Sequence, residues 1–485
     1  MQVRRIAAAL ILVTAAGCQG PAGPDSRSHL WVGTLPMRDT GFDRRTWQDT
    51  SVGVVRPLME QLPDRIPSAA EHRLARNLLV SIADAPQGDE GGDALLTRRV
   101  EVLMRLGNVG DAAALARAAR NPPRDEAGAR REAEAELLAG NVEMACIELR
   151  ALAARSPTQW SQDGLALCKA HAGEPGAAPS GTARSGALAR IAGAALPDDP
   201  GSGDRIAYLT AVAGDPKVPA ARRLEAGFTA ARASALSGDA YAKILRSAPV
   251  RGQAPPGETP PATGGQAAAL FQAIERSADP SRKLDLAERG LLSPDGTVDG
   301  VSAALVEPLR TVRPDPALAG LAARFALCFY AVGDVKAATP WADMVKRSGS
   351  DSAIWPYRAL LKPAAAGDLA EWEKRTHLDP DRRERIVAIL SAFGVAPADD
   401  SGDMQDIDKA AMQLHVGETT LRALVILGSA GPAGASPRAL HHVLKSLDRV
   451  ALHDEAHALA FEAIAAIVLA RPLTNSKIGS RPPSA

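Results

Sequence analysis

Apolar residues recur along most of this chain at intervals of three and four, the spacing that places side chains on one face of an α-helix. One such run consists of Leu95, Leu96, Val100, Leu103, Met104 and Leu106. Gly107 and Asn108 follow it, and a glycine at this place can adopt the left-handed conformation that ends a helix. The pattern predicts a helix that ends at Gly107 and a second helix that runs back beside it until Pro122 and Pro123 stop it.

Three glycines, Gly107, Gly140 and Gly173, are spaced 33 residues apart and define a repeat. Each repeat contains two antiparallel helices, which cannot bury both of their faces alone, so successive hairpins are expected to stack. The spacing returns at Gly333 and Gly367, which are 34 residues apart. We therefore predict an all-α fold, a helix-hairpin solenoid in one piece or in two halves, with these five glycines at its turns.

The second repeat resembles a known family. Ala133, Gly140, Ala145 and Pro157 stand where the tetratricopeptide repeat (TPR) has a small residue, its turn glycine, an alanine and a proline. The family's tryptophan and tyrosine positions are not matched. Partial matches occur at Gly107 and Ala112, at Ala166, Gly173 and Ala178, and at Ala326, Gly333 and Ala338. The resemblance implies a TPR-like solenoid, a fold whose concave surface commonly binds other proteins.

The first 18 residues have the pattern of an export signal. Arg4 and Arg5 precede an apolar run over residues 6–16, which is too short to span a bilayer. The ending Ala15-Ala16-Gly17-Cys18 resembles the lipobox of bacterial lipoproteins. That resemblance implies that Cys18 is lipidated and that the protein faces the periplasm, with Gln19 compatible with the outer membrane. The alternative is simple cleavage and a soluble periplasmic protein.

Composition shifts divide the chain into segments. We expect a signal peptide over 1–18, a flexible tether over 19–49, an N-terminal helical repeat domain over 50–250, a Pro/Gly-rich linker over 251–266, a C-terminal helical domain over 267–470 and a disordered tail over 471–485. Lys and Arg together number 56, as do Asp and Glu, and aromatic residues make up 4%. A nucleic-acid-binding protein is disfavoured because its basic face is missing.

Two cysteines are placed symmetrically about a turn. Cys146 lies eleven residues before Pro157 and Cys168 lies eleven residues after it. In an antiparallel hairpin, residues equidistant from the turn face each other, so the two cysteines can come within disulfide reach in an oxidising compartment. We predict this disulfide; the alternative is a pair of buried free thiols. Cys328 has no evident partner and is expected in the core.

His453 and His457 are four residues apart, and His441 and His442 lie just upstream. A zinc hydrolase of the H-E-x-x-H type needs glutamate directly after the first histidine, where this chain has Asp454. No third ligand is apparent. We therefore expect an interhelix turn before His453 and no metal site.

Two further stretches resemble ligand loops only superficially. The glycine-rich stretch from Gly428 to Gly434 lacks the residues of a phosphate loop, and Asp295 to Asp299 lacks the bidentate glutamate of a calcium loop. We expect no catalytic, cofactor-binding or metal-binding residue and no cofactor. The favoured hypothesis is a noncatalytic scaffold or adaptor lipoprotein of the cell envelope that binds other envelope proteins. The alternative is a cell-wall hydrolase or a metal-dependent enzyme on a helical scaffold.

Overall fold

The computed structural model describes residues 33–88, 93–118, 126–174, 186–197, 204–249, 259–348, 353–362, 366–376, 379–397 and 405–469. The export signal with Cys18, residues 19–32 of the expected tether, residues 251–258 of the expected linker and the tail over 471–485 lie outside these ranges.

The described chain is all-α, as predicted. Its first helices are α1 (Met37–Thr40), α2 (Val52–Glu60), α3 (Ala69–Val80), α4 (Asp93–Arg105), α5 (Val109–Ala118), α6 (Glu126–Ala139), α7 (Val142–Arg155), α8 (Gln159–His171), α9 (Arg205–Gly214), α10 (Ala220–Arg232) and α11 (Gly238–Ser247). They are followed by α12 (Gly264–Arg276), α13 (Pro280–Glu288), α14 (Gly300–Val306), α15 (Ala322–Ala331), α16 (Val335–Ser348), α17 (Trp355–Leu361) and α18 (Ala366–Thr376). The last are α19 (Pro380–Ala392), α20 (Asp406–Met412), α21 (Val416–Leu427), α22 (Gly431–Gly434), α23 (Pro437–Arg449) and α24 (His453–Leu469).

Short 3-10 helices cover Gly186–Arg190, Glu307–Thr311, Pro316–Leu321 and Gly428–Ala430. Within the described ranges, β pairing is confined to the isolated bridges Leu35–Ser81 and Ser51–Gln87.

One helix ending recurs along the chain. Gly107, Gly140, Gly173 and Gly333 have φ angles of +83°, +88°, +75° and +76°. After each of them, the next N–H donates to the carbonyl five residues back, as from Asn108 to Leu103 at 2.8 Å. This closure satisfies carbonyls that the end of a helix would otherwise leave without a donor. The same closure occurs without glycine at Ser234, Leu414 and Ala451.

The prediction for Gly367 is wrong. Gly367 is the second residue of α18, and it does not close a helix. The preceding helix, α17, ends at Leu361, two residues before Pro363 in the sequence. Proline disfavours helical geometry in the residue before it, so the helix ends before the repeat spacing reaches the glycine.

Consecutive helices pack as hairpins, which confirms the predicted helix-hairpin architecture. Each neighbouring pair from α4 to α8 is in contact, so these helices form a stack. The chain then returns through the 3-10 helix Gly186–Arg190, which packs on α6, to α9, which packs on α4, α5 and α6. Later hairpins are α9 with α10, α12 with α13, α15 with α16, α20 with α21, and α23 with α24.

The first and last long helices of the described chain are also in contact. Helix α24 packs on α3, and α21 packs on both α2 and α3. A closed circuit of contacts leads from α3 through α4, α9, α10, α12, α13 and α15 to α24 and back to α3. In an open solenoid each repeat touches only its neighbours. In this chain, α3 and α24 are in contact although they are far apart in sequence, in addition to the local contacts within hairpins.

Residues 33–49 do not belong to a flexible tether, which corrects that boundary. Phe42 is fully buried and Trp47 is 2% exposed. The carbonyl of Thr46 accepts a hydrogen bond from the N–H of Gly417 at 2.8 Å, and a Cβ on Gly417 would lie 2.4 Å from the Trp47 ring. A composition rich in Gly, Pro, Ser, Asp and Arg without a sustained period predicts a tether here, yet the apolar residues of the segment anchor it to α21.

The expected linker also ends earlier than predicted. Thr263 caps α12, and its hydroxyl accepts a hydrogen bond from the N–H of Gln266, so residues 264–266 are helical. One main hydrophobic cluster contains residues from both sides of the linker, including Leu224 and Phe271. A second, smaller cluster lies among α6, α7, α8 and the 3-10 helix Gly186–Arg190. We call these four elements the disulfide lobe, because Cys146 and Cys168 lie in its core.

The positive φ angle at the shared helix ending predicts how replacing its glycine with alanine changes the stability of the protein. Gly333→Ala should lower the free energy of unfolding by about 1 kcal/mol, because an L-residue is strained at positive φ. The nearest atom to the added Cβ, Nη2 of Arg73, lies 4.0 Å away, so a clash does not contribute. Chemical denaturation would measure the change. Gly110→Ala, inside α5 with no atom within 4 Å of the added Cβ, is the control and should be neutral or stabilising. Equal effects of the two substitutions would contradict the explanation.

Candidate functional site

Two buried glutamates, one from each end of the described chain, face the contact between α3 and α24. Glu71 lies in the first turn of α3 and is fully buried, and Glu462 lies within α24 and is 2% exposed. Ser68 begins α3 as its N-cap, and its hydroxyl accepts a hydrogen bond from the N–H of Glu71 at 3.1 Å. Helix α24 is apolar on nearly all sides, the pattern of a fully buried helix. Glu462 is the one carboxylate in it after Glu455.

The hydrogen bonds of the pair are asymmetric. Oε2 of Glu462 accepts from the Ser68 hydroxyl at 2.8 Å and from the N–H of Ala70 at 3.1 Å. Oε1 of Glu462 and both carboxylate oxygens of Glu71 find no donor among the described residues. Gly431 closes the site, because a Cβ there would lie 3.1 Å from Cβ of Ser68 and 3.3 Å from Oε2 of Glu71.

Burial acts on the protonation of both carboxyl groups, and the charge of Glu462 acts on Glu71. Desolvation, followed by the charge of Glu462, raises the pKa of Glu71 well above its ordinary value. Desolvation raises the pKa of Glu462 to about 8, although the hydrogen bonds from Ser68 and Ala70 and the charge of Arg73 act in the opposite direction. Both shifts favour the protonated form of the pair at neutral pH. Both carboxyl groups are enclosed, so neither is placed to touch a polymer substrate.

Another buried glutamate shows how a carboxylate can be satisfied in this protein. Glu136 is also 2% exposed, but Arg117 donates to both of its oxygens at 2.8 and 2.6 Å, and Asn141 donates to it at 2.6 Å. Buried charges are normally paired in this way, because an unpaired one loses its hydration without compensation. The Glu71–Glu462 pair lacks such a cation.

The segment that leads into α3 is fixed by contacts on its other side. The N–H of Ala69 donates to the carbonyl of Val298 at 2.9 Å, and the hydroxyl of Ser234 donates to the carbonyl of Pro67 at 2.6 Å. Arg65 donates to the carbonyl of Arg232 at 3.2 Å. The segment before α3 therefore joins α10 and the approach to α14 on one side to α24 on the other.

Asp299, in the stretch compared above with a calcium loop, has a structural role. Its carboxylate caps α14 by accepting from the N–H groups of Val301 and Ser302 at 2.9 and 3.0 Å. It also pairs with Nη1 of Arg232 at 2.7 Å, and both side chains are largely buried. The cap and the ion pair occupy the oxygens that a cation would need.

The four candidate histidines contact different partners and do not converge. His457 stacks on Phe393 with ring centroids 4.8 Å apart, and burial lowers its pKa. The others form polar pairs: His453 with Asp448 at 2.6 Å, His442 with Asp408 at 2.8 Å and His441 with Ser391 at 2.8 Å. Among the residues described, no three His, Cys, Asp or Glu side chains are grouped to hold a metal ion.

The glycine-rich stretch after α21 is helical. A 3-10 helix, Gly428–Ala430, leads into α22, Gly431–Gly434. Gly428 and Gly431 have φ angles of +57° and +61°. Gly431 also allows close packing, because it lies against the Ser68 and Glu71 side chains.

The predicted disulfide is present. The sulfur atoms of Cys146 and Cys168 are 2.00 Å apart and their Cα atoms are 5.6 Å apart, so the bond joins α7 to α8. Cys328 is a free, buried thiol in α15, and burial raises its pKa well above the ordinary value.

Helix α7 of the disulfide lobe is apolar on two faces. Ala145, Leu149 and Leu152 are buried on its inner side. On the outer side, Met144 is 36% exposed and Ile147 is 57% exposed, although both are large apolar residues. These two side chains and the exposed Ala151 follow three- and four-residue spacing, so they form one stripe along the helix. We call Met144, Ile147 and Ala151 the outer stripe.

Comparison with known proteins gives no assignment: no family model, no curated protein and no solved structure matches the chain. Of the helices in the described ranges, none combines the length and the apolar composition needed to cross a bilayer.

Sequence reasoning missed the carboxylate pair, although two signals were present. Ser68 and Glu71 have the spacing of a capping box, in which the glutamate reaches back to the N-cap. Glu462 is an isolated charge in an apolar helix. Neither signal reveals that the two residues meet, because their contact spans nearly the whole chain.

Loss of the disulfide should affect its lobe selectively. Replacing both Cys146 and Cys168 with alanine opens a loop closed over 22 residues and should destabilise the lobe by about 3 kcal/mol on the chain-entropy estimate. Hydrogen exchange should then rise in α6, α7 and α8, which share the small cluster, and much less in α15 or α24. A reductant should reproduce the change in the natural protein and have no effect on the double variant. Uniform destabilisation of both clusters would contradict the separation of the lobe.

Proposed function

We propose that this protein is a noncatalytic scaffold or adaptor of the bacterial cell envelope, which binds other envelope proteins through its helical surface. The observation that carries this proposal is the outer stripe, Met144, Ile147 and Ala151 on α7. A helix whose inner face already lies in a core gains nothing for folding from large apolar residues on its outer face. Contiguous apolar patches on a protein surface are typical of sites that bind a partner.

The spacing of the outer stripe suggests the kind of partner. Apolar residues separated by three and then four positions form the seam along which a second helix packs. Residues Glu143, Arg150 and Arg155 are exposed on the same helix and would give a polar rim. We therefore propose that the partner contributes an amphipathic helix that packs along α7.

The disulfide favours this role. It joins α7 to α8 and restricts how far the lobe can deform, so the outer stripe is presented in one arrangement before the partner arrives. A binding surface that is already ordered loses less conformational entropy on association. The bond also favours an oxidising compartment such as the periplasm.

The location in the cell envelope and the relation to the TPR family are also part of this proposal. Cys18 is proposed as the lipid anchor, most simply in the outer membrane, with a soluble periplasmic protein as the alternative. A TPR-like origin is supported by the left-handed turn glycines Gly107, Gly140 and Gly173 at their 33-residue spacing. The alternative function, a cell-wall hydrolase or a metal-dependent enzyme, receives no specific support from the described residues, since His453 and His457 have separate partners.

A photo-crosslinking amino acid at position 144, introduced into the protein in its own envelope, tests the outer stripe. We expect it to crosslink reproducibly to one envelope protein, at a peptide with apolar residues at helical spacing, identified by mass spectrometry. Ile147→Glu in the same chain should reduce that crosslink at least tenfold, because it buries an unpaired charge in the proposed seam.

The control uses exposed Lys243 on α11, both as a second crosslinker position and as the substitution Lys243→Glu. Neither should reproduce the result at position 144. Crosslinks that are the same at positions 144 and 243, or that persist with Ile147→Glu, would refute α7 as the binding surface.

A further inference from the structure

The hydrogen bonds that Ser68 and Ala70 donate to Glu462 close the circuit of helices described above. The N–H of Ala70 and the hydroxyl of Ser68 donate to a carboxylate that lies 392 and 394 positions away in the sequence, respectively. Ser68 acts twice, since its oxygen caps α3 through the N–H of Glu71 and its hydroxyl donates to Glu462. The junction of α3 and α24 therefore depends on a carboxylate pair at its centre.

Few charged groups are positioned to neutralise the negative charge of Glu71 and Glu462. The charge of Glu462 is the one that acts on Glu71. Those acting on Glu462 are Arg73 on α3 and Asp299 before α14. Arg73 is exposed to solvent, and Asp299 is negative and already paired with Arg232. A second negative charge at the junction would consequently lack both a cation and hydrogen-bond donors, since three of the four oxygens have no partner in the described chain.

We propose that Glu71 and Glu462 form a proton-operated latch: a proton bound by the pair keeps α3 docked on α24, and its loss loosens this junction. When one carboxyl group is neutral, the pair carries at most one negative charge, and Ser68 and Ala70 donate hydrogen bonds to Oε2 of Glu462. When both ionise, two enclosed like charges repel across the contact. Helix α24 packs on α3, α15, α17, α19, α22 and α23, so a change at Glu462 reaches much of the C-terminal part.

The direction of the pH effect follows from the raised pKa of both groups. Below the ordinary carboxyl range, folded and unfolded chains are both protonated and the latch contributes fully. As pH rises, the unfolded chain loses these protons first, so the folded state binds more protons and its stability falls. For Glu462 this window extends to about pH 8. Each extra proton held by the folded state changes the unfolding equilibrium tenfold per pH unit.

The first test compares chemical denaturation from pH 5 to pH 9 for the full chain and for Glu71→Gln, Glu462→Gln and Glu384→Gln. Glu384 is exposed on α19 and is the matched control. We expect the natural protein and the control to lose stability with rising pH, by about tenfold per pH unit in the unfolding equilibrium for each extra proton that the folded pair holds. Glu71→Gln and Glu462→Gln should flatten this dependence, because the amide cannot ionise.

A second measurement identifies which helices become less stable as the pH rises. Hydrogen exchange, corrected for its intrinsic pH dependence, should increase in peptides from α3 and α24 between pH 6 and pH 9 in the natural protein and not in Glu71→Gln. The disulfide lobe serves as an internal reference. Infrared spectroscopy of the natural protein should also show a protonated carboxyl band at pH 7, which needs no variant to fold.

Three results would overturn the latch. One is the same pH dependence in the natural protein and in a folded Glu71→Gln or Glu462→Gln variant. Another is the absence of the protonated carboxyl band at pH 7. The third is stabilisation of the natural protein by Ca²⁺ or Mg²⁺ that Glu71→Gln abolishes, since the pair would then hold a cation in place of the proton.

Discussion

The enclosure of the segment before α3 is the constraint on which the closed arrangement of this protein depends. Backbone and side-chain groups from Arg65 to Ala70 bond to α10 and the approach to α14 on one side and to α24 on the other. A segment enclosed on both sides must have its polar groups satisfied locally. Those bonds hold the segment in one position, and the first long helix that follows it is thereby fixed against the last.

Two kinds of contact are combined in this fold. The hairpins are local. Several of their turns share one geometry, in which a residue with positive φ is followed by an N–H that donates to the carbonyl five residues back. The closure between α3 and α24 is distant in sequence, and bringing such contacts together has a larger entropic cost before any contact forms. This difference explains why the turns can vary, with Ser234, Leu414 and Ala451 replacing glycine, while the closure depends on particular polar residues.

The sequence predicted what local chemistry determines. Helical periodicity, the turn glycines and the symmetry of Cys146 and Cys168 about Pro157 all act within one hairpin, so the all-α class and the disulfide could be inferred from them. The failures have a common origin in tertiary structure. Trp47 is ordered by α21, and Glu71 meets Glu462 only after the circuit closes. Gly367 matched the spacing, but α17 ends at Leu361 and Gly367 lies within α18.

The proposed binding surface and the α3–α24 closure lie on different hydrophobic clusters. The small cluster of the disulfide lobe contains few apolar residues, so a covalent bond supplements it and leaves α7 able to present apolar residues outward. The main cluster is large enough to tolerate a carboxylate pair without a cation, because surrounding apolar contacts offset the cost of that burial. A protonation change at Glu71 and Glu462 therefore acts on the main body first. The contacts of α6 with α4, α5 and α9 join the disulfide lobe to this main body.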